Sequence, residues 1–181
     1  MEKTIKEYPS SYYDDVFITS VWFTSGNAEM SYAAIYQKAV EDIFQQSDVN
    51  ILELGCGLGM FPDFIKKKEH TYFGLDFSKV AIKTCKDKGY NVKLHDLRDG
   101  IPDLEYNVIV SFETLEHIIE DVKLLSEIKP GTLVCLSVPM FDDPSHVRYF
   151  ESIGEVLERF SMLKLIRCEK INRWFYLSGI K

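Results

Sequence analysis

The chain has 181 residues, 46% hydrophobic and 27% charged, enough for one domain with a full core and ordinary for a soluble globular protein. A formal net charge of −7 gives no broad attraction to nucleic acid or to an anionic membrane surface. No apolar run approaches a membrane span, residues 1–7 lack a signal-peptide hydrophobic region, and Cys56, Cys85, Cys135 and Cys168 form no C-x-x-C pair, which suits reduced thiols in a cytoplasm.

The first part of the chain crowds Tyr8, Tyr12, Tyr13, Phe17, Trp22, Phe23, Tyr32 and Tyr36 into a polar background. Within it, 31–46 reads as an amphipathic helix with Tyr36, Ala39, Val40, Ile43 and Phe44 on one face, as for a helix laid on a sheet edge. A buried strand over 49–54 follows, ending in Glu53-Leu54-Gly55-Cys56-Gly57-Leu58-Gly59. Alternating glycines let the backbone turn sharply and let a ligand approach where a Cβ would clash. A helix opening just after aims free N–H groups at a bound anion, so the turn reads as a mononucleotide-type site at a strand's carboxyl end. The nicotinamide fingerprint G-x-G-x-x-G needs its third glycine at position 60, which is Met60; the glycine falls one residue early, at Gly59.

Further strands are expected over 71–75, 91–95, 106–112 and 132–138, the last two apolar enough to be covered on both faces. Helices alternate with them, the mark of a parallel sheet with crossovers. One spans 61–68, with Pro62 near its start and lysines at its end. A second is capped by Ser78 and runs to about residue 88. A third carries Ile118, Val122 and Leu125 and stops at Pro130-Gly131. The fourth opens on Ser152-Ile153-Gly154-Glu155, a capping-box pattern, and presents Ile153, Val156, Leu157 and Phe160. The closing runs 163–171 and 174–180 are separated only by Asn172 and Arg173, too few residues for a helical crossover, and should pair antiparallel. Asp76 ends the second strand about twenty residues past the glycines, the spacing of an acidic residue on a ribose. An ionised carboxylate accepts from both ribose hydroxyls, and Phe77 then offers a flat wall to the base.

The pattern E-x-G-x-G-x-G at Glu53, Gly55, Gly57 and Gly59 resembles motif I of the class I S-adenosylmethionine-dependent methyltransferases. Five parallel strands with helices, then an antiparallel hairpin, is similar to that family's architecture over roughly 48–181. The resemblance implies an α/β fold: a seven-stranded, mostly parallel sheet of order 3-2-1-4-5-7-6 with helices on both faces. It implies one domain over 1–181, with 1–47 as a helical segment of the kind such enzymes use as a lid. The implied cofactor is S-adenosylmethionine. Glu53 would face its ammonium, Gly55, Cys56 and Gly57 would border the methionyl moiety, and Gly59 would allow the close helix start. Asp76 and Phe77 would hold the ribose and adenine. Asp96 would accept from the adenine amine, with the Leu97 N–H on the ring. Ser111 and Phe112 would present backbone carbonyls.

Methyl transfer is a displacement at a sulfonium carbon, so the protein chiefly orients two reactants and supplies a base where the nucleophile needs one. The segment Glu113-Thr114-Leu115-Glu116-His117 resembles the E-x-L-E-H stretch of small-molecule O-methyltransferases. On a helix, Glu113, Glu116 and His117 would share a face. The E-x-x-E-H pattern also holds a divalent metal in small-RNA 3′-terminal 2′-O-methyltransferases, with a further histidine that His146 would match. No metal is expected here, because both glutamates favour a helix N-terminus while His117 lines the pocket. The segment Ser145-His146-Val147-Arg148-Tyr149-Phe150 resembles the H-V-R-x-F stretch of many class I methyltransferases. His117 and His146 are the candidate catalytic residues, and Glu113 and Arg148 the candidate acceptor contacts. A structural role for Arg148, pairing with an acid of the core, and for His146, capping a turn, stays open. There is neither an N-P-P-Y nor a D-P-P-Y after the fourth strand, and no long insertion. The expected activity is methyl transfer to an oxygen or nitrogen of a small-molecule acceptor by a cytoplasmic monomer or homodimer, with no nucleic-acid or membrane partner. The alternatives are a metal-assisted RNA 2′-O-methyltransferase and a non-catalytic cofactor-binding partner subunit.

Overall fold

A computed structural model describes residues 6–24 and 27–181; the polar start 1–5 and the side chain of Trp22 lie outside the described residues. Strands β1 (Asn50–Leu54), β2 (Thr71–Asp76), β3 (Val92–Leu94), β4 (Val108–Phe112), β5 (Leu133–Pro139), β6 (Lys164–Ile171) and β7 (Trp174–Ile180) form one sheet in the order β3-β2-β1-β4-β5-β7-β6. The first five are parallel, and β7 runs antiparallel to both β5 and β6. This is the order that the family resemblance implies. The hairpin turns at Asn172, whose φ of 55° is one that asparagine tolerates better than most residues.

All of β4 and β5 is buried, so their side chains divide by alternation between two covered faces. On one face, Leu52, Ile109, Val134 and Leu136 pack with Leu124 and Leu125 of α6 (Asp121–Ser126) and Val156 of α7 (Ile153–Arg159). On the other, Ile51, Val108, Val110 and Cys135 pack with Ile35, Tyr36, Ala39 and Ile43 of α3 (Asn27–Ile43) and Phe61 and Ile65 of α4 (Met60–Ile65). The apolar stripe expected in the N-terminal segment is therefore core, on a helix that begins at Asn27 rather than at residue 31. The caps form as read: Ser78 accepts from the Ala81 N–H at the start of α5 (Lys79–Asp87), and Ser152 accepts from the Glu155 N–H.

Two short helices, α1 (Ser10–Thr19) and α2 (Val21–Thr24), precede α3. Asp14 fixes α1 to the start of α5, accepting from the Ser78 hydroxyl at 2.5 Å and the Val80 N–H at 3.1 Å. The expected helical face at Glu113, Glu116 and His117 is corrected. Glu113 takes a φ of 51°, Leu115–His117 form a single 3₁₀ turn, and α6 starts only at Asp121. A left-handed residue breaks a helix, and Glu113 is held there by Ser137, whose hydroxyl accepts from its N–H at 3.1 Å and donates to its carboxylate at 2.9 Å. Glu113 therefore lies outside any helix and Glu116 in a lone 3₁₀ turn, so neither stands at the N-terminus of α6 as the sequence predicts.

Candidate active site

The carboxyl ends of β1, β2 and β4 meet because these strands are parallel neighbours. The glycine turn after β1 is stitched to β2 by the N–H groups of Gly55 and Cys56, which donate to the Leu75 carbonyl at 2.8 and 2.9 Å. Asp76 then lies beneath the turn, 7% exposed, accepting from the N–H of Gly57 at 2.9 Å and of Ser78 at 2.8 Å. Burial pushes its carboxyl up to about 6, against the opposing pull of the Ser78, Gly57 and Phe77 N–H groups. Gly57 has a φ of 50°, and a Cβ there would meet only the Phe17 ring of α1, at an ordinary contact distance of 3.7 Å. This is the cradle a ligand backbone needs. Gly55 differs from expectation: its φ is 78°, and an added Cβ would come within 2.3 Å of the Thr114 hydroxyl, so the space it frees is filled by the loop after β4.

Glu53 is 3% exposed and accepts a 2.5 Å hydrogen bond from the Tyr72 hydroxyl, while burial pushes its carboxyl well above the usual range. Cys56 is buried in the turn. Asp96 caps the short turn Leu97–Asp99, accepting from the Arg98 N–H at 3.0 Å and from its guanidinium Nε at 2.8 Å. That guanidinium holds the Asp96 carboxyl below the ordinary value and lies 5.6 Å above the Phe77 ring. Asp96 is thus a turn aspartate and a cavity residue at once. Leu97 is buried beside it, and Phe112 packs against Phe61 and Tyr36.

Glu53, Gly55, Cys56, Gly57, Asp76, Phe77, Asp96, Leu97 and Phe112 border one cavity of about 420 Å³, which continues past Phe112 to Glu113, Glu116, His117 and His146. His117 sets Nδ1 3.0 Å from the Ser145 carbonyl, and His146 sets Nδ1 3.2 Å from the Phe141 carbonyl; the two rings are 5.0 Å apart. Burial pulls His117 down to about 4, so it is neutral at physiological pH. Burial pushes Glu113 up to about 8 and Glu116 well above its usual range. Glu116 is fully buried, and neither of its carboxylate oxygens has a hydrogen-bond partner among the described residues. The Tyr13 hydroxyl, from α1, is likewise buried without one and borders the same cavity.

Arg148 is corrected. Its guanidinium donates to the carbonyls of Leu115, Ile118 and Ile119 at 2.6–2.8 Å and pairs with Asp121 at 3.1 Å, so it fastens the loop after β4 and does not border the cavity. The cation that does border the acceptor side is Arg173, whose guanidinium stacks 3.6 Å over the Phe141 ring. Sequence reading treated it only as a hairpin residue, yet a two-residue turn between β6 and β7 puts it at the carboxyl end of β5. The aromatic N-terminal residues also reach the cavity: Tyr8, Tyr12, Tyr13 and Phe17 border it from α1 and its approach.

Residues 27–179 match the family model described as a methyltransferase domain. The trans-aconitate 2-methyltransferase of Mycobacterium tuberculosis is 28% identical over 124 residues, covering 65% of this chain and 46% of that protein. The malonyl-[acyl-carrier protein] O-methyltransferase 2 of Ilyobacter polytropus is 30% identical over 133 residues, covering 67% of this chain and 49% of that protein. The chain thus spans under half the length of these relatives. In fold it is similar to the magnesium protoporphyrin IX methyltransferase of Synechocystis with bound S-adenosylmethionine, with a TM-score of 0.69, 11% identity and full coverage of both chains. With the expected strand order in place and the glycine turn set over Asp76, the match across 27–179 places the chain in the class I S-adenosylmethionine-dependent methyltransferase family.

Proposed function

We propose that this chain transfers the methyl group of S-adenosylmethionine to an oxygen or nitrogen of a small-molecule acceptor bearing an acidic group. The observation that carries this is the continuity of one cavity from Asp76 and Gly57 to His117, His146 and Arg173. The cofactor, when bound, supplies an activated methyl on a sulfonium. Asp76 accepts from the ribose hydroxyls, Phe77 and Leu97 flank the base, Asp96 and Arg98 border its edge, and Glu53 lies toward the ammonium. His117, neutral at physiological pH, and His146 face the acceptor and accept its proton or a hydrogen bond. Glu113, pushed toward its neutral form, donates or accepts at the same place. Arg173 holds the acceptor's anion, held in turn by Phe141. The names of the two relatives, which specify trans-aconitate and a malonyl-[acyl-carrier protein], support an acid-bearing acceptor. The aromatic cover from α1 excludes water from the displacement.

The test is incubation with S-adenosylmethionine and a panel of carboxylic, phenolic and amine acceptors, reading S-adenosylhomocysteine by mass spectrometry. Turnover on acid-bearing members, with the acceptor's KM raised in Arg173→Gln, supports the reading. Cofactor binding without turnover on any member would instead favour a non-catalytic partner subunit, and activity only on RNA the other alternative.

A further inference from the structure

We propose that Glu116, with the Tyr13 hydroxyl and the His117 ring, binds the protonated amine of the methyl acceptor, so that the atom methylated is nitrogen. All three residues border the acceptor end of the cavity, Tyr13 from α1 and the other two from the loop after β4. Binding of an ammonium stands on this geometry; its methylation rests on the methyltransferase reading of the cavity.

Glu116 is fully buried, and neither of its carboxylate oxygens accepts a hydrogen bond from a described residue. The Tyr13 hydroxyl is buried in the same condition. Buried polar groups are nearly always paired, so two orphans on one cavity mark what the cavity takes in. The protein's own cation nearby does not serve Glu116: Arg148 gives its hydrogen bonds to three carbonyls and pairs with Asp121. Nor does His117. Its Nδ1 faces the Ser145 carbonyl, which can only accept, so the proton sits there. Its Nε2 turns a lone pair toward Glu116, 3.8 Å from one oxygen. Tyr13 is close to both: its ring meets the His117 ring edge-on at 5.4 Å, and, after burial, the Glu116 carboxyl does most to push its hydroxyl up. A carboxylate, a phenol oxygen and an imidazole nitrogen thus stand as acceptors around one space.

Three acceptors call for a donor of several hydrogens. An alcohol or phenol brings one, whereas an ammonium brings three. Its charge fits as well. Among the described residues, Glu113, Glu116 and Asp143 border this end of the cavity against one guanidinium, that of Arg173. The ring faces of Tyr12 and Tyr13 add attraction for a cation. Arg173 remains for a carboxylate of the same compound, so amino acids are the acceptor class that meets both poles.

An ammonium has no lone pair and cannot attack. Burial, and the Glu113 carboxyl after it, hold Glu116 well above the usual carboxyl range, so Glu116 takes a proton more readily than an exposed carboxylate would. The N–H bond breaks as the proton passes to Glu116. The freed lone pair forms the N–C bond to the methyl carbon as the C–S bond breaks, and that electron pair stays on sulfur. The products are an N-methylammonium, neutral S-adenosylhomocysteine and a protonated Glu116, which returns its proton to water. The charged and titratable groups facing Glu116 are Glu113 and His117 beside it, Tyr13 of α1, Asp121 of α6, and His146 and Arg148 after β5.

The test is calorimetric titration of the full-length chain, loaded with S-adenosylhomocysteine and kept in EDTA. The probes are phenethylamine and phenylalanine, each beside its hydroxyl analogue, phenethyl alcohol and 3-phenyllactate. At least one amine should bind tenfold or more tightly than its analogue. That advantage should vanish in Glu116→Gln, while S-adenosylhomocysteine affinity stays within tenfold. In wild type it should grow as pH rises from 6 to 8, because a proton on Glu116 must leave before the ammonium can pair with it. Amines that bind no better than their analogues, or equally well in Glu116→Gln, overturn the proposal. Should that variant fail to fold, wild type decides: an amine advantage independent of pH overturns the site. With S-adenosylmethionine supplied, methyl on nitrogen supports the proposal. Methyl on oxygen alone overturns it and leaves the methyltransferase reading standing. Failure of S-adenosylhomocysteine to bind strikes that reading alone, and the amine titration of the free chain still decides the site.

Discussion

Replacing Asp76 by asparagine tests the cofactor site through its dependence on pH. In the cofactor-free protein this carboxyl lies at about 6 because it is buried, and ribose hydroxyls donate only to its ionised form with full strength. At pH 8 the carboxylate is charged, and the variant should bind S-adenosylhomocysteine more weakly by about 2 kcal/mol, the worth of charge-assisted bonds. The sign at lower pH follows from the raised value. Below about 6 the free wild-type protein carries a proton that the ligand must displace, so its affinity falls tenfold per pH unit, or about 1.4 kcal/mol. At pH 5 the two proteins should therefore differ by well under 1 kcal/mol on the same scale. The amide of the variant cannot titrate, so the difference between the two profiles isolates Asp76 from the other buried carboxyl at the site, Glu53. Calorimetric titration at half-unit steps from pH 5 to 8 measures both curves. Parallel curves, or equal affinities at pH 8, would show that Asp76 does not bind the ribose.

Alanine at His117 or His146 should lower turnover on a working acceptor by a hundredfold or more while S-adenosylhomocysteine affinity changes by less than tenfold, as titration and steady-state rates will show. Asp121→Asn should cost about 3–5 kcal/mol in urea unfolding, because it leaves Arg148 and Arg159 with less than their buried counter-charge; a loss below about 1 kcal/mol would refute that role. Gly55→Ala should cost about 1–2 kcal/mol for its left-handed φ, and about 1–3 more for the clash with Thr114. Adding Thr114→Ala should recover part of the second loss, and strict additivity of the two changes in urea unfolding would show that these positions are uncoupled.

The central strands were legible because burial on both faces leaves little choice but an apolar run, and the terminal hairpin because two residues cannot make a crossover. The juxtaposition of Gly57 and Asp76 was legible for a similar reason: a glycine turn after one strand and an acid ending its parallel neighbour fall at a fixed spacing. What failed depended on contacts distant in sequence. The E-x-x-E-H spacing reads as helix locally, but Ser137 on a neighbouring strand pins Glu113 in a left-handed conformation. Arg148 was read beside a cavity, while its acid partner, Asp121, stands at the start of another element. Helix α1 has no buried residue, so it carries no apolar stripe to read; Asp14 holds it instead, through hydrogen bonds to α5.

The contact between Gly55 and Thr114 separates two kinds of inheritance within the molecule. It locks the turn that carries the donor to the loop that carries the acceptor-side residues, leaving no room for even a methyl group between them. Under the proposed function, the path along which a methyl group travels is set by the ends of two adjacent strands, β1 and β4, whatever compound arrives. Under the proposed function the choice of compound falls elsewhere, to Tyr12, Tyr13 and Phe17 of α1 and to Arg173 on a hairpin turn, which border the cavity from other elements. A descendant can exchange its aromatic cover and take up a new acceptor without disturbing the geometry of the transfer, so such a domain can diversify in specificity faster than in chemistry.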